Sequence, residues 1–312
     1  MLPLLLLLLL AGCGDEAPGK RLCLRVGMDL WPGYYPLIIA EECGFTAEEG
    51  LELKLTASSD TRSMIADYAA GRYEAVCLSL GDVLLLTHSR PGTRVLIFTD
   101  ESAGGDQLLS FKEKVGPGSL KGMRLGTNLD GFGEVFIRRF LETHGLGVED
   151  VVLVNADASL VPAMLERGAI DVGHTWEPYA EQVRATGGQV WFTSKETPGL
   201  VLDCLVVDDA LLKNRRSHMK GLLRAWCRAV EWWQLHREEG NSIVERKLKL
   251  PENSVRGHGI RLLGWADNRR LQGTGVDSMK SAVEEHMDYF VRKGMSIRRV
   301  RPEELVDREM TK

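Results

Sequence analysis

An α/β protein of two lobes is the fold the sequence predicts, and three observations predict it. Short apolar runs alternate with helix-patterned segments from residue 22 onward, the rhythm of a mainly parallel sheet with helices on its faces. After Gly116-Pro117-Gly118 a second set of such units begins, and beyond residue 211 the pattern changes to long helices. A chain of 312 residues would also stretch a single core, so two lobes of roughly 100 to 150 residues are expected.

The elements follow in order. Residues 22–26 (LCLRV) are an apolar run ending at Gly27, and 36–42 read as a helix entered through Pro36 and closed by Gly44. Residues 51–55 (LELKL) alternate with period two, a strand with one wet face. Ser58, Ser59 and Asp60 offer an N-cap to a helix running to Gly71. A buried strand over 75–80, a short helix from Asp82 and an apolar run over 94–99 complete the first set. In the second set, 123–126, 151–154 and 170–173 are strands. Helices over 132–144, 160–167 and 179–186 follow them and stop at Gly145, Gly168 and Gly187-Gly188. The last third predicts helices over 217–239, 242–248, 255–265 and 277–293. The first carries Leu222, Leu223, Trp226, Val230 and Trp233 at helical spacing, and Trp232, Trp233 and Trp265 are expected in the core.

Composition narrows the function. The chain is 44% hydrophobic and 27% charged, with 39 Lys and Arg against 44 Asp and Glu, an ordinary globular balance. No basic cluster is available to track phosphates, so no nucleic acid is expected as a partner. Cysteines at 13, 23, 43, 77, 204 and 227 include no Cys-x-x-Cys pair, which excludes a zinc knuckle or thioredoxin-type motif, and no metal or other cofactor is expected. Most of these cysteines are expected to be small buried residues. Residues 1–13 stand apart: Leu4 through Leu10 are unbroken leucine, too short to span a bilayer and of the length of a secretion signal. Leu10-Ala11-Gly12-Cys13 resembles the bacterial lipobox, in which the cysteine is acylated and begins the mature chain, although no basic residue precedes the leucines. Residues 14–21 then read as a polar tether.

In an open α/β sheet the loops after the carboxyl ends of the strands line the ligand crevice. Here those loops hold Met28 to Pro36 (MDLWPGYYP), Ser58 to Arg62 (SSDTR), Ser79 to Asp82 (SLGD), Thr99 to Asp106 (TDESAGGD), Thr127 to Glu134 (TNLDGFGE) and His174 to Tyr179 (HTWEPY). Aromatics, small hydroxyls and glycines in that mixture suit a small molecule held by stacking and a few hydrogen bonds. Asp82 and Asp130 also have a plainer reading as helix N-caps.

Asp29-Leu30-Trp31-Pro32-Gly33-Tyr34 with Pro36-Leu37, Gly118-Ser119-Leu120-Lys121-Gly122 before a strand, and Asp171-Val172-Gly173 leading to Trp176-Glu177-Pro178-Tyr179 together resemble one family. It is the periplasmic solute-binding proteins of the nitrate, sulfonate and taurine class of ABC importers, which includes the thiamine-pyrimidine-precursor binders. The resemblance covers roughly residues 22 to 300. It implies a periplasmic-binding-protein-like fold, two mixed or mainly parallel sheets flanked by helices and joined by two crossover strands, closing on a ligand by hinge motion. Residues 22–107 with 206–312 would form one lobe and 108–205 the other. It also implies a small-molecule ligand, delivery to an ABC permease in the inner membrane, and a monomer outside that membrane, tethered only through a lipid on Cys13.

In that crevice Trp31 and Tyr34 are expected to stack the ligand, and Ser59, Ser79 and Thr127 to hydrogen-bond it. Asp130, Glu134 and Glu177 would supply polarity from the second lobe, with His174 as a donor, while Trp176 either touches the ligand or packs between the lobes. Helix starts near Asp82, Gly131 and Trp176 would favour an anion such as nitrate, an alkanesulfonate or taurine. Against that, Asp29, Asp60, Asp82, Asp100, Glu101, Asp106, Asp130, Glu134 and Glu177 face only Arg62 and His174 as basic partners, which favours a neutral or amine-bearing heterocycle. No nucleophile elbow, His-Glu-x-x-His, phosphate loop or dinucleotide fingerprint is present, so binding rather than catalysis is expected, with a periplasmic sensory protein as the other alternative.

Overall fold

The computed structural model describes residues 21–113, 116–255, 259–273 and 279–312. The leader, Cys13 and nearly all of the tether lie outside the described residues. Eleven strands occur among them: β1 (Leu22–Met28), β2 (Leu51–Ala57), β3 (Ala75–Ser79), β4 (Thr93–Ser102), β5 (Gln107–Ser110), β6 (Arg124–Thr127), β7 (Val152–Asn155), β8 (Val172–Thr175), β9 (Gln189–Thr193), β10 (Leu202–Asp208) and β11 (Ile260–Leu262).

They form two mixed sheets flanked by helices. The first runs in the order β11-β4-β10-β3-β1-β2 and the second β7-β6-β8-β5-β9. Parallel pairs β1/β2 and β1/β3 occupy one side of the first sheet, and β10 runs antiparallel between β3 and β4. In the second sheet β6 is parallel to β7 and β8, while β5 is antiparallel to β8 and β9. The antiparallel strands β5 and β10 are therefore where the chain arrives in each sheet, between Ser102 and Gln107 and again between Thr193 and Leu202. The return strand begins at residue 202, so it already belongs to the first sheet before the expected lobe boundary at 205.

Each predicted strand forms within two or three residues of its expected bounds, and β5, β9, β10 and β11 are additional. Of the expected helix over 255–265, residues 256–258 lie outside the described residues and 259–264 are not helical. Instead β11 pairs with Ser102 to Asp100 of β4, Leu263 N–H donates to the Thr99 carbonyl, and a helix starts only at Trp265. Gly259, left-handed at a φ of 76°, packs against the backbone of Gly104 and Gly105, and its carbonyl accepts from Ala103 and Gly105 N–H. Trp265, expected in the core, is 37% exposed, whereas Trp226 and Trp233 are buried. Cys77, Cys204 and Cys227 are buried, but Cys23 is exposed and Cys43 partly so, and all five are free.

Apolar contacts cover both faces of each sheet. One face of the first packs on helices Tyr35–Glu42, Arg216–Leu235 and Arg237–Leu248, the other on helices Thr61–Ala69, Leu80–Ser89 and Lys280–Arg292. That last helix serves both lobes: Val283 and Met287 join the first core, while Tyr289 and Phe290 join Phe136 and Phe140 in the second.

Candidate functional site

Between the two sheets lies a cavity of about 330 Å³. From the first sheet, the carboxyl ends of β1 and β3 and the start of β10 supply Asp29, Cys77, Ser79 and Asp203. The loop after β1 turns at Gly33, where a Cβ would sit 1.9 Å from Asp100 Oδ2; only glycine lets this loop close over that carboxylate. Closing it carries Trp31 and Tyr34 into the wall. Trp31 Nε1 donates to Asp100 Oδ1 at 2.9 Å, its backbone N–H donates to Asp29 Oδ1 at 2.7 Å, and Tyr34 donates its hydroxyl hydrogen to Asp203 Oδ1 at 2.6 Å.

The helix Leu80–Ser89 is capped by Ser79, whose Oγ accepts from Asp82 N–H and donates to Asp82 Oδ2 at 2.9 Å. Ser79 is thus the N-cap, and Asp82 sits in the first turn with Oδ1 aimed across the cleft. Phe132 N–H approaches that oxygen at 3.4 Å, and Gly131, without a Cβ, permits the close approach. Asn128, Leu129, Asp130, Gly131, Phe132 and Trp176 form the opposite wall. Arg62 reaches over from the first lobe and donates to the Leu129 carbonyl and to Asn155 Oδ1.

At the crossover after β4, Asp106 is buried and lines the cavity. Its Oδ1 lies 3.0 Å from His174 Nε2, and His174 Nδ1 lies 3.1 Å from Thr127 Oγ1. His174 is boxed in by the rings of Phe132, Phe136 and Trp176. Two polar atoms of the wall, Trp176 Nε1 and Asn128 Oδ1, have no partner among the described residues.

The electrostatics follow from burial. Asp29 is pushed up to about 7, by desolvation first and then by Asp106 and Asp82. Asp82 rises to about 6 for the same first reason, opposed by its bond from Ser79. Desolvation pushes both Asp100 and Asp203 up, helped at Asp100 by Asp106 and Asp29 and at Asp203 by Asp100. Burial also holds the Tyr34 hydroxyl and the Cys77 thiol in their neutral forms, well above their usual ranges. Among the described residues no group of three or more His, Cys, Asp or Glu side chains is arranged to hold a metal ion.

Of the residues expected to contact the ligand, Trp31, Tyr34, Ser79, Asp130 and Trp176 line this cavity. The others do not. Ser59 is exposed beside the Asp60 cap. Thr127 and His174 lie one layer behind Asp106. Glu134 is fully buried but turned away, bound by Lys293 Nζ and the Tyr289 hydroxyl. Glu177 is taken by Arg184 at 2.6 Å. Asp203 went unnoticed; its signal was a lone carboxylate in the apolar run LVLDCLVV (200–207), an unusual place for a charge unless it has a buried task.

Comparison with known proteins agrees with this architecture. The sequence profile described as NMT1/THI5 like matches residues 31–239. No protein of curated function matches by sequence. Among solved structures, the alkanesulfonate-binding protein SsuA of Xanthomonas axonopodis pv. citri, bound to MOPS, superposes with a TM-score of 0.75 at 12% identity, over 93% of this chain and 99% of that one. The periplasmic nitrate-binding protein NrtA of Synechocystis PCC 6803 gives 0.70 at 15%, over 86% and 82%. The desulfurization enzyme DszB gives 0.68 at 19%, over 93% and 98%. At these identities the likeness establishes the fold.

Proposed function

The chain belongs to the NMT1/THI5-like family, and from that premise we propose that it is an extracytoplasmic solute-binding receptor of an ABC importer. It captures a small polar or heterocyclic, amine-bearing molecule between its lobes and passes it to a permease in the inner membrane. The observation that carries this reading is the composition of the cavity wall: Asp29, Asp82, Asp106 and Asp203 beside the rings of Trp31, Tyr34, Phe132 and Trp176. Arg62 is the one Lys or Arg lining it among the described residues, and its guanidinium is spent on Leu129 and Asn155. Rings on both walls suit a flat ligand, and unpaired carboxylates repel an anion.

Binding without covalent chemistry is part of the proposal, even though an enzyme shares the fold. Cys77 is the one thiol in the wall among the described residues, and burial keeps it from the thiolate form that a nucleophile needs. The receptor is proposed as a monomer, and the leucine run and Cys13 support a lipid that holds it outside the membrane. Among the described residues no helix is long and apolar enough to cross a membrane. An acylated Cys13 at the start of the mature chain, read by mass spectrometry, checks this point.

A second reading, an anion receptor, has its own support: Arg62 lines the cavity, and similar structures are named for binding alkanesulfonate and nitrate. A thermal-shift screen of the mature chain separates the two, because a ligand that binds only the folded state raises Tm by mass action. The panel holds nitrate, taurine, alkanesulfonates, bicarbonate, aminopyrimidines, thiamine, riboflavin and small amines. Stabilisation by an amine or heterocycle is expected; stabilisation by nitrate or a sulfonate selects the second reading, and silence across the panel overturns the receptor.

A further inference from the structure

This inference rests on the receptor reading and narrows its ligand. Four carboxylates from four segments line the cavity, Asp29 after β1, Asp82 on helix Leu80–Ser89, Asp106 on the crossover and Asp203 in β10, and a fifth, Asp100 in β4, is buried beside Asp203. The donors that Asp29, Asp82, Asp100 and Asp203 receive are neutral: backbone N–H groups, the Trp31 indole, the Tyr34, Ser79 and Thr99 hydroxyls. Among the described residues no lysine or arginine bonds to any of the five, and the one imidazole nearby, His174, meets Asp106 alone. The other titratable groups facing the cluster are Tyr34, Tyr35, Cys77 and Cys204 from the first lobe and Tyr179 from the second, all held neutral by burial, and Arg62, which donates to Leu129 and Asn155. Asp130, on the far wall, is exposed and paired with Lys293. A buried carboxylate without a counter-charge keeps a proton or accepts a cation from outside.

A separate observation points to an occupant. Trp176, 8% exposed, lines the opposite wall, and its Nε1–H has no acceptor among the described residues. A buried indole N–H ordinarily finds a partner. We propose that the ligand is an organic cation that replaces a proton among these carboxylates and that carries a hydrogen-bond acceptor for Trp176.

The sign of the pH dependence is set by the empty cleft. With Asp29 near 7, a proton stays on the cluster in mildly acidic solution. An incoming ammonium favours the charged carboxylate, lowers its pKa and expels that proton. Affinity therefore climbs with pH up to about 7, by at most about tenfold per unit for one proton released, and levels off above. In the empty protein the same group, raised above its unfolded value of about 3.9, contributes stability that is full below that value and lost as pH rises through about 7.

The test uses three probes that share one 4-methoxyphenyl ring, whose oxygen offers Trp176 an acceptor, and differ in charge: the benzylammonium, the benzyl alcohol and the phenylmethanesulfonate. Calorimetry of the mature chain is expected to show binding of the benzylammonium in preference to the other two, tightening from about pH 5 to about pH 7 as a proton is released. Asp29→Asn, which keeps the acceptor for Trp31 N–H, is expected to flatten that pH dependence and to raise Tm above the parent's at about pH 8 but not at about pH 4. Equal or tighter binding of the alcohol or the sulfonate overturns the inference, and so does a benzylammonium affinity indifferent to pH. If all three probes fail while only a neutral or anionic compound of the screening panel binds, the inference falls and the receptor stands. Failure of probes and panel alike overturns both.

Discussion

Tyr34 donates to Asp203 across 2.6 Å, joining the loop after the first strand to the strand that returns from the second lobe. Both residues are buried, at 2% and 5% exposure, and 169 positions separate them. Asp203 pairs in register with Ser79, the cap of the helix that carries Asp82. One aromatic hydroxyl thus ties together the loop, the return strand and the acidic wall of the cavity.

Removing that hydroxyl leaves Asp203 buried without the donor. Tyr34→Phe keeps the ring and is expected to cost about 1–3 kcal/mol of folding stability, the cost of one unsatisfied buried group. Urea unfolding reads this as a lower midpoint at an unchanged slope. An unchanged midpoint would mean that Asp203 is held by its proton alone.

Lys293 and Asp130 offer a contrast in burial. Lys293 Nζ meets Glu134 at 2.6 Å and Asp130 at 2.7 Å, but the Glu134 side chain is fully buried and that of Asp130 is 59% exposed. Lys293→Met leaves a buried carboxylate against the Tyr289 hydroxyl and one backbone N–H, and is expected to destabilise by about 3–5 kcal/mol. Asp130→Ala removes only the exposed partner and should cost under about 1 kcal/mol. Equal losses in the two midpoints would show that the network acts as one unit.

The contrast also explains what could be read from the sequence. Strand and helix alternation located the loops, so Trp31, Tyr34, Ser79, Asp130 and Trp176 emerge on one cavity from their place after strand ends. Charge partners were not legible, because they come from far along the chain. Glu134 is claimed by Lys293, 159 residues away, and His174 turns to Asp106, 68 residues away. Asp203 was hidden because β10, an antiparallel strand buried between two others, shows no alternation to mark its faces. That residues 259–264 are not helical has a related cause: their apolar side chains satisfy a sheet edge as well as a helix face, and pairing with β4 decides between them.

His286 carries a prediction of acid sensitivity. It is buried where helix Lys280–Arg292 meets Gly81, its Nδ1 facing the Ala282 carbonyl at 2.8 Å. Burial pushes its pKa down to about 4. A depressed histidine contributes stability that is present above its unfolded value of about 6.5 and lost as pH falls through about 4. Asp29 and Asp82 act in the opposite sense over part of the same range, so wild type alone does not isolate it. His286→Leu is expected to lose less stability than the parent between about pH 6.5 and 4, by at most about 3 kcal/mol. Parallel Tm curves for the two proteins would show that His286 does not titrate in this window.

Trp31 combines a ring on the cavity wall with a donor to Asp100, and two substitutions separate these tasks. Trp31→Phe retains an aromatic face but deprives Asp100 Oδ1 of its bond, leaving Thr99 Oγ1 as donor to the other oxygen at 3.0 Å. Because Asp100 is fully buried, this variant should lose about 1–3 kcal/mol of stability while keeping most of its ligand affinity. Trp31→Ala removes the stacking surface as well and is expected to weaken binding of the screening hit by a further 1–3 kcal/mol or so, about ten- to a hundredfold in Kd. Calorimetric Kd values beside unfolding midpoints distinguish the cases. Equal Kd values for the parent and both variants would place Trp31 among the residues that shape the loop and outside those that hold the ligand.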